Sequence, residues 1–155
     1  QRESKKTIEI AKAHDSKRIV YGVVLDPSII DAHGDYLAPA VIEETAHDFL
    51  ASSRVVGVEH NGKAEGAKVV ESWLHPYPSK EDYELAIRGE PHNSRRTQFG
   101  DDHITSGSWV MAVKLPEEQW EKVKSGGLNA FSIGGFGSRE PMDADDMPEI
   151  TYVNF

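Results

Sequence analysis

Two extended runs, Thr7 to Ala13 and Arg18 to Leu25, are joined by only four polar residues, His14-Asp15-Ser16-Lys17. Such a short polar connection between β-rich runs reads as a hairpin, so the chain opens with antiparallel strands. Asp26-Pro27 breaks the second strand, and Asp31-Ala32-His33-Gly34-Asp35 forms a polar loop ahead of a helix starting near Pro39. In that helix Val41, Ile42, Ala46, Phe49 and Leu50 share one face, and Glu43, Glu44, His47 and Asp48 take the other.

Further along, Val55 to His60 and Ala67 to Leu74 read as strands joined by the glycine-bearing turn Asn61 to Gly66. A strand is expected over Tyr83 to Arg88, inside a mobile loop that extends from Pro76 to Gly107. Ser108 to Leu115 is an apolar strand. A short helix follows it, with Pro116 in its first turn, Trp120 and Val123 on its apolar side and Gly126-Gly127 as its stop. Asn129 to Gly135 and Glu149 to Phe155 read as strands. This order lacks the regular alternation of parallel α/β folds. It predicts an α+β domain over residues 1–155, an antiparallel β-barrel with flanking helices.

Composition narrows the function classes. The 155 residues suffice for one core without staples, and there is no cysteine, which removes disulfides, thiolate nucleophiles and thiolate zinc sites and fits a reducing compartment such as the cytoplasm. Lys and Arg total 17 against 26 Asp and Glu, a net charge of -9, and the basic residues do not cluster, so no nucleic-acid partner is expected. No apolar run approaches the roughly 18 residues of a membrane span, and no signal-peptide layout is present at the N-terminus. The chain begins with Gln, so the reading leaves room for further chain at one or both ends.

Without cysteine, nucleophilic catalysis needs a hydroxyl and a neighbouring base, for which imidazole is suited near neutrality. Ser132 is a polar residue within Ala130-Phe131-Ser132-Ile133-Gly134-Gly135, where glycines allow close backbone approach and the N–H groups of Ile133, Gly134 and Gly135 offer oxyanion donors. The segment is not the G-x-S-x-G elbow, since residue 130 is Ala. A serine buried in a strand and bonded to backbone is the plainer reading. Among seven histidines, His14, His47, His75, His92 and His103 lie in polar or helix-exposed contexts, which leaves His33 and His60. His60 ends the apolar run Val55 to Glu59, a rigid support for a base. Asp31, His33 and Asp35 are spaced as ligands of a divalent metal, although such a loop is usually a set of Asx-type turns.

Several segments together resemble the XkdF-like phage serine proteases, which mature tailed-phage proheads. They are Tyr21 to Pro27 with Asp31 to Asp35, Gly57-Val58-Glu59-His60, Val69 to Ser72, Gly107-Ser108-Trp109-Val110, Trp120 to Lys124 and Phe131 to Gly135, in that order. The resemblance implies a herpesvirus assemblin-like fold, with Ser132 as nucleophile, His60 as base and an acyl-enzyme mechanism without metal or cofactor. The third member falls on Glu149 in Pro148 to Val153, with Asp143, Asp145 and Glu71 as competitors. It further implies cleavage of phage scaffold and major capsid precursors, and of the chain itself. The site of action would be the prohead, in the cytoplasm of an infected or lysogenic bacterial host, and the enzyme a homodimer. Three other readings are an inactive assembly protein of the same fold, a metal-dependent hydrolase using Asp31, His33 and Asp35, and a plain peptide-binding domain that cleaves nothing.

Overall fold

The computed structural model describes residues 5–29, 36–53, 56–57 and 66–134. The expected opening hairpin is present: β1 (Lys5–His14) pairs antiparallel with β2 (Ile19–Leu25) through a 3₁₀ turn, Asp15–Lys17. β2 pairs with β7 (Trp109–Lys114), and β7 with β4 (Lys68–Leu74). On its other side β1 pairs with β8 (Ala130–Gly134), and β8 with β3 (Val56–Gly57). The result is one antiparallel six-stranded sheet in the order β3-β8-β1-β2-β7-β4.

Two expectations change here. The described strands form an open sheet with β3 and β4 at its edges, so they close no barrel. The two runs expected to pair as a hairpin across Asn61 to Gly66 instead lie at opposite edges, each held by a strand from the second half of the chain. Adjacency in sequence was outweighed by the larger apolar surface that β7 and β8 offer as partners.

β7 shows why. All of Trp109 to Val113 is buried, because both faces of the sheet are covered at this strand. Trp109, Met111 and Val113 join the main core with Ile8, Val20, Phe131 and Ile133, under helix α1 (Pro39–Asp48). Val110 instead joins a second cluster under the hairpin of β5 (Arg96–Phe99) and β6 (Asp102–Thr105), with Phe99, Ile104, Tyr21 and Trp73. There Tyr21, Trp73 and Phe99 meet edge to face in a triangle, with centroids 6.3–6.4 Å apart. Lys12 Nζ caps it at 4.8 Å from the Tyr21 ring and 4.7 Å from the Phe99 ring.

In α1 the buried stripe is Ile42, Ala46 and the following Phe49, whereas Val41 is 48% and Leu50 37% exposed. A rotation of 100° per residue leaves room for only the i, i+4, i+7 line against the sheet, so Val41 and Leu50 fall on its flanks.

The region from Pro76 to Gly107, expected as a loop with one strand, is ordered by capping and pairing. Residues 80–87 form α2 (Lys80–Ile87), not a strand. Ser79 Oγ accepts from the Asp82 backbone N–H at 3.0 Å and donates to Asp82 Oδ2 at 2.7 Å, a cap that only helical backbone accommodates. Asp82 Oδ1 also accepts from the Asn93 N–H at 2.9 Å. These bonds, Asn93 first, hold the Asp82 carboxyl below its usual pKa. α3 (Glu117–Lys124) follows Pro116 as expected, with Trp120 buried.

Gly22 in β2 is required by packing. A Cβ there would run into Ile8 Cγ2, would lie 2.8 Å from the Glu9 carbonyl oxygen and would lie 3.2 Å from the Phe131 ring. The space a side chain would fill is occupied by residues of β1 and β8, so this glycine lets β8 settle against the sheet. Gly22→Ala is expected to destabilise the fold by about 1–3 kcal/mol, read as a lower urea midpoint at unchanged slope.

Candidate active site

β8 is an inner strand whose ends are anchored by burial. Phe131 and Ile133 are wholly buried, and Ala130, Leu128 and Asn129 nearly so. The β1 ladder extends one residue further back, through the bond from the Ile10 N–H to the Asn129 carbonyl at 2.9 Å. This strand fixes the backbone of Ser132 between two neighbours, Thr7 of β1 on one side and Gly57 of β3 on the other. Ile133 is likewise bracketed, by Lys6 and Val56, while Gly134 pairs with Lys5 and, among the described residues, has no partner on the β3 side.

The topology therefore brings together two runs that are far apart in sequence: the strand of Ser132 and the strand that leads, three residues beyond Gly57, to His60. His60 itself lies outside the described residues, as do Glu149, Gly135, Asp143, Asp145 and the Asp31, His33 and Asp35 triplet. Of the third-residue competitors, Glu71 is described, and it stands on β4 at the far edge. Four strand intervals, about 19 Å at the usual spacing, separate β4 from β8, too far for Glu71 to orient a base beside Ser132.

Of the other histidines, His14, His47, His92 and His103 are exposed, as their contexts indicated. His75 is not a surface residue: it is half-buried, with Nε2 2.9 Å from Thr97 Oγ1, and burial, then the nearby Arg95 charge, holds its pKa below the ordinary value. It follows the end of β4, so it too is remote from β8 across the sheet. Tyr77 is another perturbed group: its buried hydroxyl has no hydrogen-bond partner, and burial, followed by Glu43, pushes its pKa up to about 12. Among the described residues no group of three His, Asp or Glu is gathered to hold a metal ion.

Thr7, which the sequence gives no reason to single out, stands directly opposite Ser132, and its Oγ1 is buried with no hydrogen-bond partner. A threonine in a strand is ordinary composition, so only the ladder register reveals it.

Residues 7–140 match the family described as "Putative phage serine protease XkdF". Two proteins of Bacillus subtilis (strain 168) are similar. "Uncharacterized protein YqbD" is 34% identical over 90% of this chain and 37% of its own length. "Phage-like element PBSX protein XkdF" is 33% identical over 78% of this chain and 38% of its own. The chain thus spans well under half the length of these relatives, and no solved structure matches it. The match runs from within β1 through β8, the strands that bracket Ser132 included, and the chain belongs to the family described in those words, the XkdF family.

Proposed function

We propose that this chain is the catalytic domain of a serine endopeptidase that cleaves phage scaffold and capsid precursors, and itself, during prohead maturation. The observation that carries the reading is the register of β8, which seats Ser132 beside the strand leading to His60. In the mechanism, His60 takes the Ser132 proton as Oγ attacks a peptide carbonyl, then gives it to the departing amine, leaving an acyl-enzyme that water hydrolyses. Glu149 is the proposed partner that holds His60 in its productive tautomer.

The oxyanion falls to backbone N–H groups of the segment after Ser132. Ile133, Gly134 and Gly135 are the proposed donors, Ile133 and Gly134 being held on the β1 side by their pairing with Lys6 and Lys5. Gly57 supports the same reading, since a residue without a side chain beside Ser132 leaves the approach open to a substrate backbone. The enzyme is proposed to act as a homodimer within the prohead, in the cytoplasm of the bacterial host.

The test is co-expression of the chain with scaffold and capsid precursor, with a fluorophosphonate and a chelator applied to the purified reaction. The expected result is cleavage stopped by the fluorophosphonate and unaffected by the chelator. Cleavage stopped by the chelator alone would replace the serine reading with the metal site at Asp31, His33 and Asp35, and no cleavage at all would leave an assembly protein.

A further inference from the structure

We propose that the end of the sheet next to the β1–β2 turn is a docking surface for an acidic peptide segment of a partner protein, an extended stretch in which carboxylates flank an apolar side chain. The basic residues are scattered along the sequence, and the fold gathers several of them. His14 of β1, Ile19 of β2, Lys114 of β7 and Lys68 of β4 are successive partners across four strands, forming a single row. In the adjacent row Val20, Val113 and Val69 pack into the main core. Side chains alternate along a strand, so the row from His14 to Lys68 stands on the other face of the sheet. Further along that face the β5–β6 hairpin covers Tyr21, Val23, Trp73 and Val110. Beyond the hairpin His14, Lys114 and Lys68 are exposed and Ile19 is half-buried. Lys17, exposed in the turn, and Lys12, over the Tyr21 and Phe99 rings, border the row.

Lys68 and Lys114 stand directly opposite each other, and like charges so placed destabilise a sheet. Neither lysine has an ion-pair partner among the described residues. An acid at either position would turn the repulsion into an ion pair, so the pair serves something other than the fold. Asp15 in the turn and Glu71, opposite Ala112, are the acids on this border, and they leave the row cationic. Glu117 and Glu118 belong to α3, whose Trp120 packs in the main core on the opposite face.

The geometry fits a peptide better than a nucleic acid. Three strand intervals set Lys68 about 14 Å from His14, the span of about four extended residues. Ile19 lies within that span and offers an apolar contact between the cations. The chain as a whole carries a charge of -9, so a long polyanion running past the row meets repulsion, whereas a short acidic segment places its charge on the row alone. Thr7, the ladder partner of Ser132, is about 23 Å along β1 from His14, so the inference does not depend on the chemistry proposed at Ser132.

The experiment is fluorescence anisotropy of a fluorescein-labelled peptide, Gly-Glu-Leu-Glu-Glu-Gly, titrated with the chain at low salt, beside its glutamine counterpart and a labelled single-stranded oligonucleotide, with urea unfolding of each variant. The acidic peptide is expected to bind, and to bind less tightly as salt is added. Lys68→Gln/Lys114→Gln is expected to bind it about 10-fold more weakly. The same variant is expected to unfold at the same or higher urea concentration, because the like-charge pair is gone. Lysines that served only the fold would lose stability together with binding. Lys80→Gln/Lys124→Gln makes the same change of charge on α2 and α3 and is expected to keep the wild-type affinity. Lys68→Gln alone, on the edge strand, is expected to lose about 3-fold, and it decides the matter if the double variant does not fold. No preference for the acidic peptide over its glutamine counterpart, wild-type affinity in the Lys68 variants, or an equal loss in the α2–α3 variant overturns the proposal. Tighter binding of the oligonucleotide than of the peptide overturns it in favour of a nucleic-acid surface.

Discussion

Ser132→Ala is expected to lower the rate of precursor cleavage by a factor on the order of 10⁴–10⁶, with the fold intact. The size follows from what is removed: without Oγ there is no acyl-enzyme, and the residual rate comes from binding and oxyanion donors alone. The fold is spared because the anchors of β8 are Phe131 and Ile133, both wholly buried, and the substitution leaves them and the backbone ladder in place. His60→Ala is expected to fall into the same range. The double variant is expected to be no slower than either single one, since nucleophile and base act as a unit and their losses do not add. Cleavage followed by gel and mass spectrometry, with circular dichroism on each variant, checks all three. Losses that multiply in the double variant would show that Ser132 and His60 act separately and would dismantle the proposed pair.

Trp109→Ala is expected to destabilise the fold by about 3–5 kcal/mol, a fall in Tm of about 10 °C or more for a chain of this size. Trp109 starts β7, is fully buried, and lies with its ring centroid 5.7 Å from that of Phe49, where the end of α1 meets the sheet. Its Nε1–H donates to Ser72 Oγ at 2.9 Å, tying β7 to the edge strand β4. Alanine would leave a cavity between helix and sheet and would take the indole donor from Ser72. Trp109→Phe keeps most of the packing and loses this bond, so a smaller loss of about 1–2 kcal/mol is expected. Thermal and urea unfolding measure both. A loss under about 1 kcal/mol for the alanine variant would mean that Trp109 does not join α1 to the sheet.

These two residues differ in how far their surroundings could be read from sequence. Trp109 lies in an apolar run that reads as a strand from sequence, whereas its burial on both faces comes from the helix and the hairpin packed over it. Position 132 was legible as a polar residue in an apolar strand followed by glycines, but its neighbours were not: Thr7 and Gly57 come from strands 125 and 75 positions earlier (132 − 7 and 132 − 57). Nothing local specifies such partners. The hairpin expected between the runs at 55–60 and 67–74 shows the same limit, because a glycine-rich turn permits pairing without requiring it. α2 was missed for a different reason: the Ser79 and Asp82 cap signal was present in the sequence, but its weak apolar periodicity left the segment looking extended.

What the sequence determined by itself was local: the opening hairpin, α1 after Pro39, the apolar strand β7, α3 after Pro116 and the strand that bears Ser132. Each follows from side-chain period, turn chemistry or a helix-starting proline, all set within a few residues. Only the tertiary structure decided the strand order, the open sheet, the removal of Glu71 to the far edge and the pairing of Thr7 with Ser132. Strand order is settled by which apolar faces bury most completely together, and that competition among the described strands and the helices over them has no counterpart in any single stretch of the chain.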